Sequence, residues 1–239
     1  MHDIPLNERI IFALDFSTPQ EARAWVDRLD GQVRFFKVGL QLFLAGWWPI
    51  IDYITDRGNK VMVDLKFFDI PETVALAVAQ LRDRHVTFAT VHGNDPIIRA
   101  AVASRGDDLK ILAVTVLTSF DETDMRAMGM QGRVEDLVLM RARKALDLHC
   151  DGVVASAREA RVLSGLDRNF IVVTPGIRPG ANIDVIQNDD QKRVATARAA
   201  ISDGADYVVI GRPISRAPDP LAAVAEIQRE IGEALGGRP

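Results

Sequence analysis

The chain has 239 residues, of which 48% are hydrophobic and 26% are charged, and its formal net charge is −4. This composition is typical of a globular protein with a sizeable core, and a negative net charge offers no bulk attraction for nucleic acid or an anionic membrane. The single cysteine, Cys150, excludes a disulfide within the chain, and no apolar run approaches the ~20 residues needed to span a bilayer. The N-terminal segment lacks the pattern of a secretory signal peptide, so the sequence predicts a cytoplasmic protein.

Short apolar runs rich in β-branched residues recur along the chain, at 10–16, 35–40, 60–67, 88–93, 110–117, 152–156, 170–177 and 207–214. Because these runs are continuous rather than alternating, they predict parallel strands covered on both faces. Helical patterns lie between and after them, at 17–31, 41–57, 71–84, 95–105, 121–128, 133–148, 156–163, 190–203 and 217–235. The alternation predicts a single-domain α/β fold, a (β/α)8 TIM barrel over residues 1–239 with a loose tail near 236–239. An open doubly wound sheet is the alternative at this level.

Several of the predicted helices carry recognisable N-terminal signals. Thr18 is a candidate N-cap, with Glu21 three residues later. Ser156 and Glu159 repeat this capping-box spacing, and Asp219 stands at the start of the last helix. These signals support the division into strands and helices.

Charged residues gather where several predicted strands end. Asp15 ends the first strand, Lys37 lies in the second, Asp64 and Lys66 lie in the third, and Asp69 follows it. Residues two apart on a strand share a face, so Asp64 and Lys66 are predicted to enter the barrel mouth together. Because buried charges need partners, we expect a chain of ion pairs of alternating sign. Active sites of such barrels lie at this end of the strands, so the cluster predicts a catalytic site rather than a purely structural one.

A second pattern follows the last two strands. The segments "PGIRPG" (175–180) and "VVIGRPI" (208–214) each join a glycine to an arginine. Gly211 allows close approach of a ligand to the backbone, and Arg212 adds a cation beside it. These two loops are the usual phosphate site of TIM barrels, so the sequence predicts phosphate binding there. By contrast, His92 is expected to be a packed side chain, and Cys150 an inert thiol.

Six motifs make the chain resemble a known family. In order, they are "FALDF", "FKVGL", "DLKFFDIPET", "VTVLTS", "VTPGIRP" and "DYVVIGRPI". Their sequence, order and spacing are similar to those of the orotidine 5′-monophosphate (OMP) decarboxylase family, in its bacterial, monofunctional form. The resemblance implies decarboxylation of OMP to UMP and CO2, the last step of de novo pyrimidine synthesis, without a metal or an organic cofactor.

The resemblance also implies roles for individual residues. Lys66 matches the proton-donating lysine, and Asp15, Lys37, Asp64 and Asp69 match the rest of the charged network. The family further implies a homodimer in which Asp69 and Thr73 reach the neighbouring subunit's site.

The remaining matches concern substrate binding. Thr118 matches a residue that contacts the pyrimidine, and the phosphate-binding set is matched by Arg178, Gln191, Gly211 and Arg212. The segment between Arg178 and Gln191 is longer than expected for bacterial members, so Gln187 is an alternative to Gln191.

Two rival functions remain open from the sequence. One is a Mg²⁺-dependent decarboxylase or aldolase of the same barrel superfamily that acts on a sugar phosphate. Lys37 disfavours it, because such an enzyme is expected to carry a glutamate there and an ammonium group repels Mg²⁺. The other is a non-catalytic barrel that binds a phosphate ligand, which would have no use for Lys66.

Overall fold

The computed structural model describes residues 3–179 and 194–237, and its centre is a closed barrel of parallel strands. The eight strands are β1 (Ile10–Ala13), β2 (Phe35–Gly39), β3 (Lys60–Phe67), β4 (Phe88–His92), β5 (Lys110–Val114), β6 (Gly152–Val154), β7 (Ile171–Thr174) and β8 (Tyr207–Ile210). They pair in chain order, and β1 closes the barrel against β8. The predicted TIM barrel is confirmed, and the open sheet is excluded.

Helices alternate with the strands and surround the barrel. They are α1 (Leu6–Arg9), α2 (Pro19–Arg28), α3 (Leu40–Thr55), α4 (Pro71–Arg82), α5 (Asp95–Ser104), α6 (Glu122–Ala127), α7 (Val134–Asp147), α8 (Ala157–Ser164), α9 (Ala197–Ser202), α10 (Arg212–Ser215) and α11 (Pro220–Gly236). The short helices α1 and α10 were not predicted, since four residues are too few to show a helical period. Of the tail predicted at 236–239, Gly236 ends α11, and residues 238–239 lie outside the described residues.

Alternate residues of each strand form two apolar layers. The outward-facing set, which includes Phe12, Phe36 and Val63, packs against the helices. The inward-facing set fills the barrel, where the rings of Phe35 and Phe88 lie 5.0 Å apart between centroids and both meet Tyr207. Most residues on both faces of the strands are therefore apolar, which explains why the sequence runs do not alternate.

Of the three predicted helix N-terminal signals, two are confirmed and one is wrong. The Thr18 hydroxyl accepts a hydrogen bond from the Glu21 amide at 3.3 Å, and Asp219 caps α11 in the same way. At α8 the predicted capping box is wrong: Ser156 is the N-cap but makes no side-chain cap bond. Its hydroxyl instead bonds the Glu159 carboxylate directly, because both side chains are buried and each needs a partner.

Several predicted elements differ from the observed ones at their ends. The first strand was expected to reach residue 16 but ends at Ala13, and the last was expected to reach 214 but ends at Ile210. In both cases the chain leaves the ladder early, and Asp15, Gly211 and Arg212, which follow these strands, line a cavity at the carboxyl ends of the strands. The helix expected at 190–203 begins at Ala197, while 190–193 lie outside the described residues. Within residues 3–179 and 194–237, no helix is long and apolar enough to cross a membrane.

Candidate active site

A cavity of about 290 Å³ opens at the carboxyl ends of the barrel strands. Of the residues predicted for the site, eight line it: Asp15, Lys37, Asp64, Lys66, Thr118, Arg178, Gly211 and Arg212. They come from six different strand ends, because parallel strands of a closed barrel all deliver their carboxyl ends to the same rim.

The charged residues on one side of the cavity form the predicted chain of alternating sign. The Lys37 ammonium lies 3.0 Å from Asp15 Oδ1 and 3.8 Å from Asp64 Oδ2. The Lys66 ammonium donates to Asp64 Oδ1 at 2.9 Å. The side chains of Lys37 and Asp64 are only 11% and 12% exposed, whereas that of Lys66 is 34% exposed. The two ends of the chain, Lys66 and Asp15, therefore remain accessible to a ligand, and the Asp15 side chain is 61% exposed.

The two buried members of this chain hold each other in the charged form. Burial alone would raise the pKa of Asp64, but the Lys37 and Lys66 ammonium groups outweigh it and lower that pKa. Burial alone would lower the pKa of Lys37, but the carboxylates of Asp64 and Asp15 raise it. Lys37 and Asp64 are thus held in their charged forms, so neither needs to ionise during a reaction.

Thr90 is a member of this cluster that the sequence analysis missed. Its hydroxyl donates to Asp64 Oδ1 at 2.9 Å and accepts from the backbone N–H of Lys66 at 2.9 Å. It lies in β4 and is fully buried. A threonine within a strand rich in β-branched residues has no distinguishing sequence signal. The spacing gives one indication, because Thr90 lies two residues after the inward-facing Phe88 and so shares its face of the strand.

The floor of the cavity is apolar and was also not predicted. Its lining includes Met62, Val114, Val154 and Val209, each an inward-facing strand residue. Counting back two residues from Asp64 or Gly211 along the strand would have identified Met62 and Val209. An apolar floor under a charged wall leaves a ligand's ring partly desolvated, which strengthens its electrostatic contacts.

The two Gly–Arg segments also line this cavity. Gly176 has φ +77°, a conformation that favours glycine, and it turns the chain so that Arg178 lines the cavity. The Arg178 guanidinium is buried and donates to the carbonyl of Ile177 at 2.8 Å. A side chain at Gly211 would press on Ala13 Cβ at 3.2 Å. Both segments therefore bring a glycine and an arginine to the lining of the same cavity, which suits a phosphate group.

Asp69 and Thr73 do not join the cavity that holds the other predicted residues. Asp69 is exposed, and its carboxylate accepts from the N–H of Ile70 at 2.7 Å. Both residues instead line a neighbouring cavity of about 400 Å³, to which Lys66 also contributes. Phe68 and Leu44, at the same place, are 66% and 75% exposed. Within one subunit, Asp69 is therefore not part of the alternating chain.

The other residues singled out in the sequence occupy ordinary positions. The His92 ring packs against Phe68, with 4.6 Å between centroids, and its pKa is lowered by burial and by the nearby cations Arg141 and Lys66. Burial raises the pKa of the Cys150 thiol to about 12, as expected of an inert cysteine. Gln191 and Gln187 both lie outside the described residues. Among the described residues, no group of three or more His, Cys, Asp or Glu side chains is arranged to hold a metal ion.

Comparison with known proteins agrees with this geometry. The sequence model described as the Orotidine 5′-phosphate decarboxylase / HUMPS family matches residues 8–227. The chain belongs to this family. The match includes every strand of the barrel and the charged residues Asp15, Lys37, Asp64 and Lys66.

Individual relatives of this decarboxylase-family protein are similar over nearly the whole chain. Orotidine 5′-phosphate decarboxylase of Methylococcus capsulatus is 51% identical over 95% of this chain and 93% of its own length. The enzyme of the same name from Nitrobacter winogradskyi is 48% identical over 98% and 97%, respectively. Among solved structures, orotidine 5′-phosphate decarboxylase from Lactobacillus acidophilus superposes with a TM-score of 0.80 at 32% identity, covering 94% of this chain and 99% of that one.

Proposed function

We propose that this protein catalyses the decarboxylation of OMP to UMP and CO2 in pyrimidine biosynthesis. The observation that carries the proposal is the alternating chain Asp15, Lys37, Asp64 and Lys66, which lines the same cavity as two arginines. The names of the similar proteins support the same substrate. A monoanionic ring carboxylate and a remote phosphate match the charged groups that line the cavity.

Lys66 is proposed to stabilise and then protonate the reacting carbon. When the bond between C6 and the carboxylate breaks, the electron pair stays on C6 and CO2 leaves. A pyrimidine C6 carbanion has little resonance stabilisation, so a fixed ammonium beside it lowers the barrier. Lys66 then donates its proton to C6, which gives UMP, and it recovers a proton from water. Lys66 suits this role because its ammonium group is partly exposed and lines the cavity beside Asp64.

Asp64, Asp15 and Lys37 are proposed to hold Lys66 in place before the substrate arrives. Asp64 bonds the Lys66 ammonium directly, and Lys37 bridges Asp64 to Asp15. Because these contacts exist without a ligand, little reorganisation is needed as negative charge develops on C6. Asp15 and Lys37 are also proposed to contact the ribose, because both line the same cavity.

The phosphate is proposed to bind far from the reacting carbon. Arg178, Gly211 and Arg212 are proposed to bind it, and Thr118, which lines the same cavity, is proposed to contact the pyrimidine. Gln191, with Gln187 as the alternative, would complete the phosphate set. Binding energy gained at the phosphate can then be used for ordering the site around the reacting ring.

The reaction is proposed to need no metal or organic cofactor. The buried Lys37 ammonium occupies the centre of the acidic residues, where it repels a divalent cation. The experiment follows the loss of OMP absorbance in the ultraviolet, with and without excess EDTA. We expect turnover at an unchanged rate in EDTA. Inhibition by EDTA that Mg²⁺ reverses would favour the sugar-phosphate rival, and binding of OMP without turnover would favour the non-catalytic barrel.

The protein is further proposed to act as a homodimer in which Asp69 and Thr73 complete the neighbouring site. Asp69 lies outside its own subunit's charged chain, beside the cavity that Lys66 also lines. The surface around it exposes Leu40, Leu44 and Phe68 at 59%, 75% and 66%. Clustered large apolar side chains of this kind are typical of an interface between copies.

Subunit complementation tests this arrangement. Lys66→Ala and Asp69→Ala proteins are each expected to be nearly inactive alone. After co-refolding, half of the dimers carry one copy of each, and one of their two sites has both residues intact. The mixture should therefore recover about a quarter of wild-type turnover. A mixture as inactive as its parents would contradict the sharing of Asp69 between subunits.

The proposed location is the cytoplasm, with no nucleic acid or membrane partner. A single buried, unpaired thiol and a net charge of −4 are consistent with this assignment.

A further inference from the structure

The strand that carries Asp64 and Lys66 is irregular at these residues. Met62 and Val63 pair with Phe88 and Ala89 of β4, but the next pair joins Phe67 to Val91. Between the last two of these pairs, β3 advances by four residues while β4 advances by two. The extra residues of β3 lie where the charged side chains enter the cavity. Such bulges re-aim side chains, but they leave ladder groups without their regular partners.

Lys66 has a backbone conformation that is unfavourable for its residue type. Its φ is +49°, in the left-handed region, where a side chain with a Cβ is crowded. A residue held there costs of order 1 kcal/mol and persists only when its surroundings impose it. A neighbouring group must therefore accept a hydrogen bond from the backbone N–H of Lys66 and favour the left-handed conformation.

Thr90 supplies that partner from the neighbouring strand. It lies between Ala89 and Val91, directly opposite the irregular part of β3. Its hydroxyl accepts from the Lys66 N–H at 2.9 Å and donates to Asp64 Oδ1 at 2.9 Å, the same oxygen that accepts from the Lys66 ammonium. A hydroxyl has one donor and two acceptor positions, so one group can satisfy both residues at once.

We infer that Thr90 is a positioning residue for the reaction: its hydroxyl sets the Lys66 backbone and the Asp64 carboxylate relative to each other, and so aims the Lys66 ammonium at the reacting carbon. The inference rests on the proposed decarboxylation and extends it. Thr90 is fully buried beneath the charged wall, so it acts through Asp64 and Lys66 rather than by touching the substrate. A valine has the same shape but can make neither bond.

Three substitutions test the role of the hydroxyl. Thr90→Val is expected to lower kcat about 10- to 100-fold, the loss corresponding to one or two hydrogen bonds at a charged group. KM for OMP and Kd for UMP should change by less than about threefold, because the proposed phosphate-binding residues are untouched. Thr90→Ser keeps the hydroxyl and should retain kcat within about fivefold of wild type. Thr90→Ala is measured in the same way, and it replaces Thr90→Val if the latter does not fold.

Thr115→Val is the matched control. Thr115 is also fully buried beside a strand end, but its hydroxyl donates to the Val154 carbonyl at 3.1 Å and does not contact a charged group. Loss of the Thr115 hydroxyl should lower thermal stability without the large fall in kcat that is expected for Thr90→Val. If Thr115→Val lowered kcat as much as Thr90→Val, a general packing effect would explain both, and the inference would be wrong.

Two further results would overturn the inference. One is a kcat for Thr90→Val within threefold of an active wild type; the other is a Thr90→Ser protein as slow as Thr90→Val, which would assign the effect to the methyl group. A wild-type protein without activity would instead refute the proposed function.

A crystal structure of Thr90→Val gives a readout independent of turnover: we expect Lys66 to leave its left-handed conformation or the Lys66–Asp64 bond to break, and unchanged geometry would contradict the inference.

Discussion

Replacing Lys66 with alanine is expected to lower kcat by about 10⁴-fold or more. In the proposed mechanism, the substitution removes both the charge that stabilises the carbanion and the proton that C6 receives, and each contribution is typically worth a factor of about 10²–10⁴. The fold should survive, because Asp64 keeps Lys37 and Thr90 as partners after the Lys66 ammonium is lost. The measurement is steady-state decarboxylation of OMP, with thermal unfolding to check the fold.

The matched control for this variant is Lys60→Ala. Lys60 is at the opposite end of the same strand, where its ammonium pairs with Glu8 at 2.6 Å. Its loss should lower stability modestly and leave kcat near that of the wild type. A folded Lys66→Ala protein with a rate within tenfold of wild type would remove Lys66 from the mechanism.

Replacing Arg212 with alanine is expected to act through the phosphate alone. A charge-assisted, bidentate contact with a phosphate contributes enough that its loss should lower kcat/KM for OMP about 100-fold. Phosphate-free orotidine cannot make this contact, so kcat/KM for the truncated substrate should change by less than about threefold. The comparison of both substrates with both proteins isolates the contribution of the phosphate.

Arg216→Ala serves as the control for Arg212→Ala. Arg216 is the residue after the same short helix but is exposed, and it does not line the cavity. Its loss should alter neither substrate's kcat/KM appreciably. Equal losses for OMP and for phosphate-free orotidine in Arg212→Ala would show that Arg212 does not bind the phosphate.

Most of the strands could be predicted because burial on both faces leaves a local signature. The apolar runs at 35–40, 60–67 and 88–93 correspond closely to β2, β3 and β4. Their ends were less accurate, since β1 and β8 stop when the ladder pairing stops, and pairing depends on a neighbouring strand. Ser156 shows the same limit at a helix start: its spacing fits a capping box, but burial of Glu159 gives its hydroxyl another partner.

The site could be predicted only in part, for a related reason. Asp64 and Lys66 were expected to share a face through regular strand alternation, and they do line one cavity. The backbone between them is not a regular strand, however, because Lys66 has φ +49° and the register with β4 shifts there. Thr90 was not predicted, because no nearby sequence feature indicates that it bonds Lys66 and Asp64, which lie 24 and 26 residues earlier in the chain.

The amino-acid sequence by itself determined which residues carry charge at the strand ends, that the strands are parallel, and that the chain resembles its family. Only the tertiary structure decided which of those charges touch. It separated Asp69 from the Asp15–Lys37–Asp64–Lys66 chain, and it placed Thr90 beneath Lys66. The physical reason is that hydrophobic patterning is a local property of the chain, whereas ion pairing and strand register depend on distances that exist only once the barrel has closed.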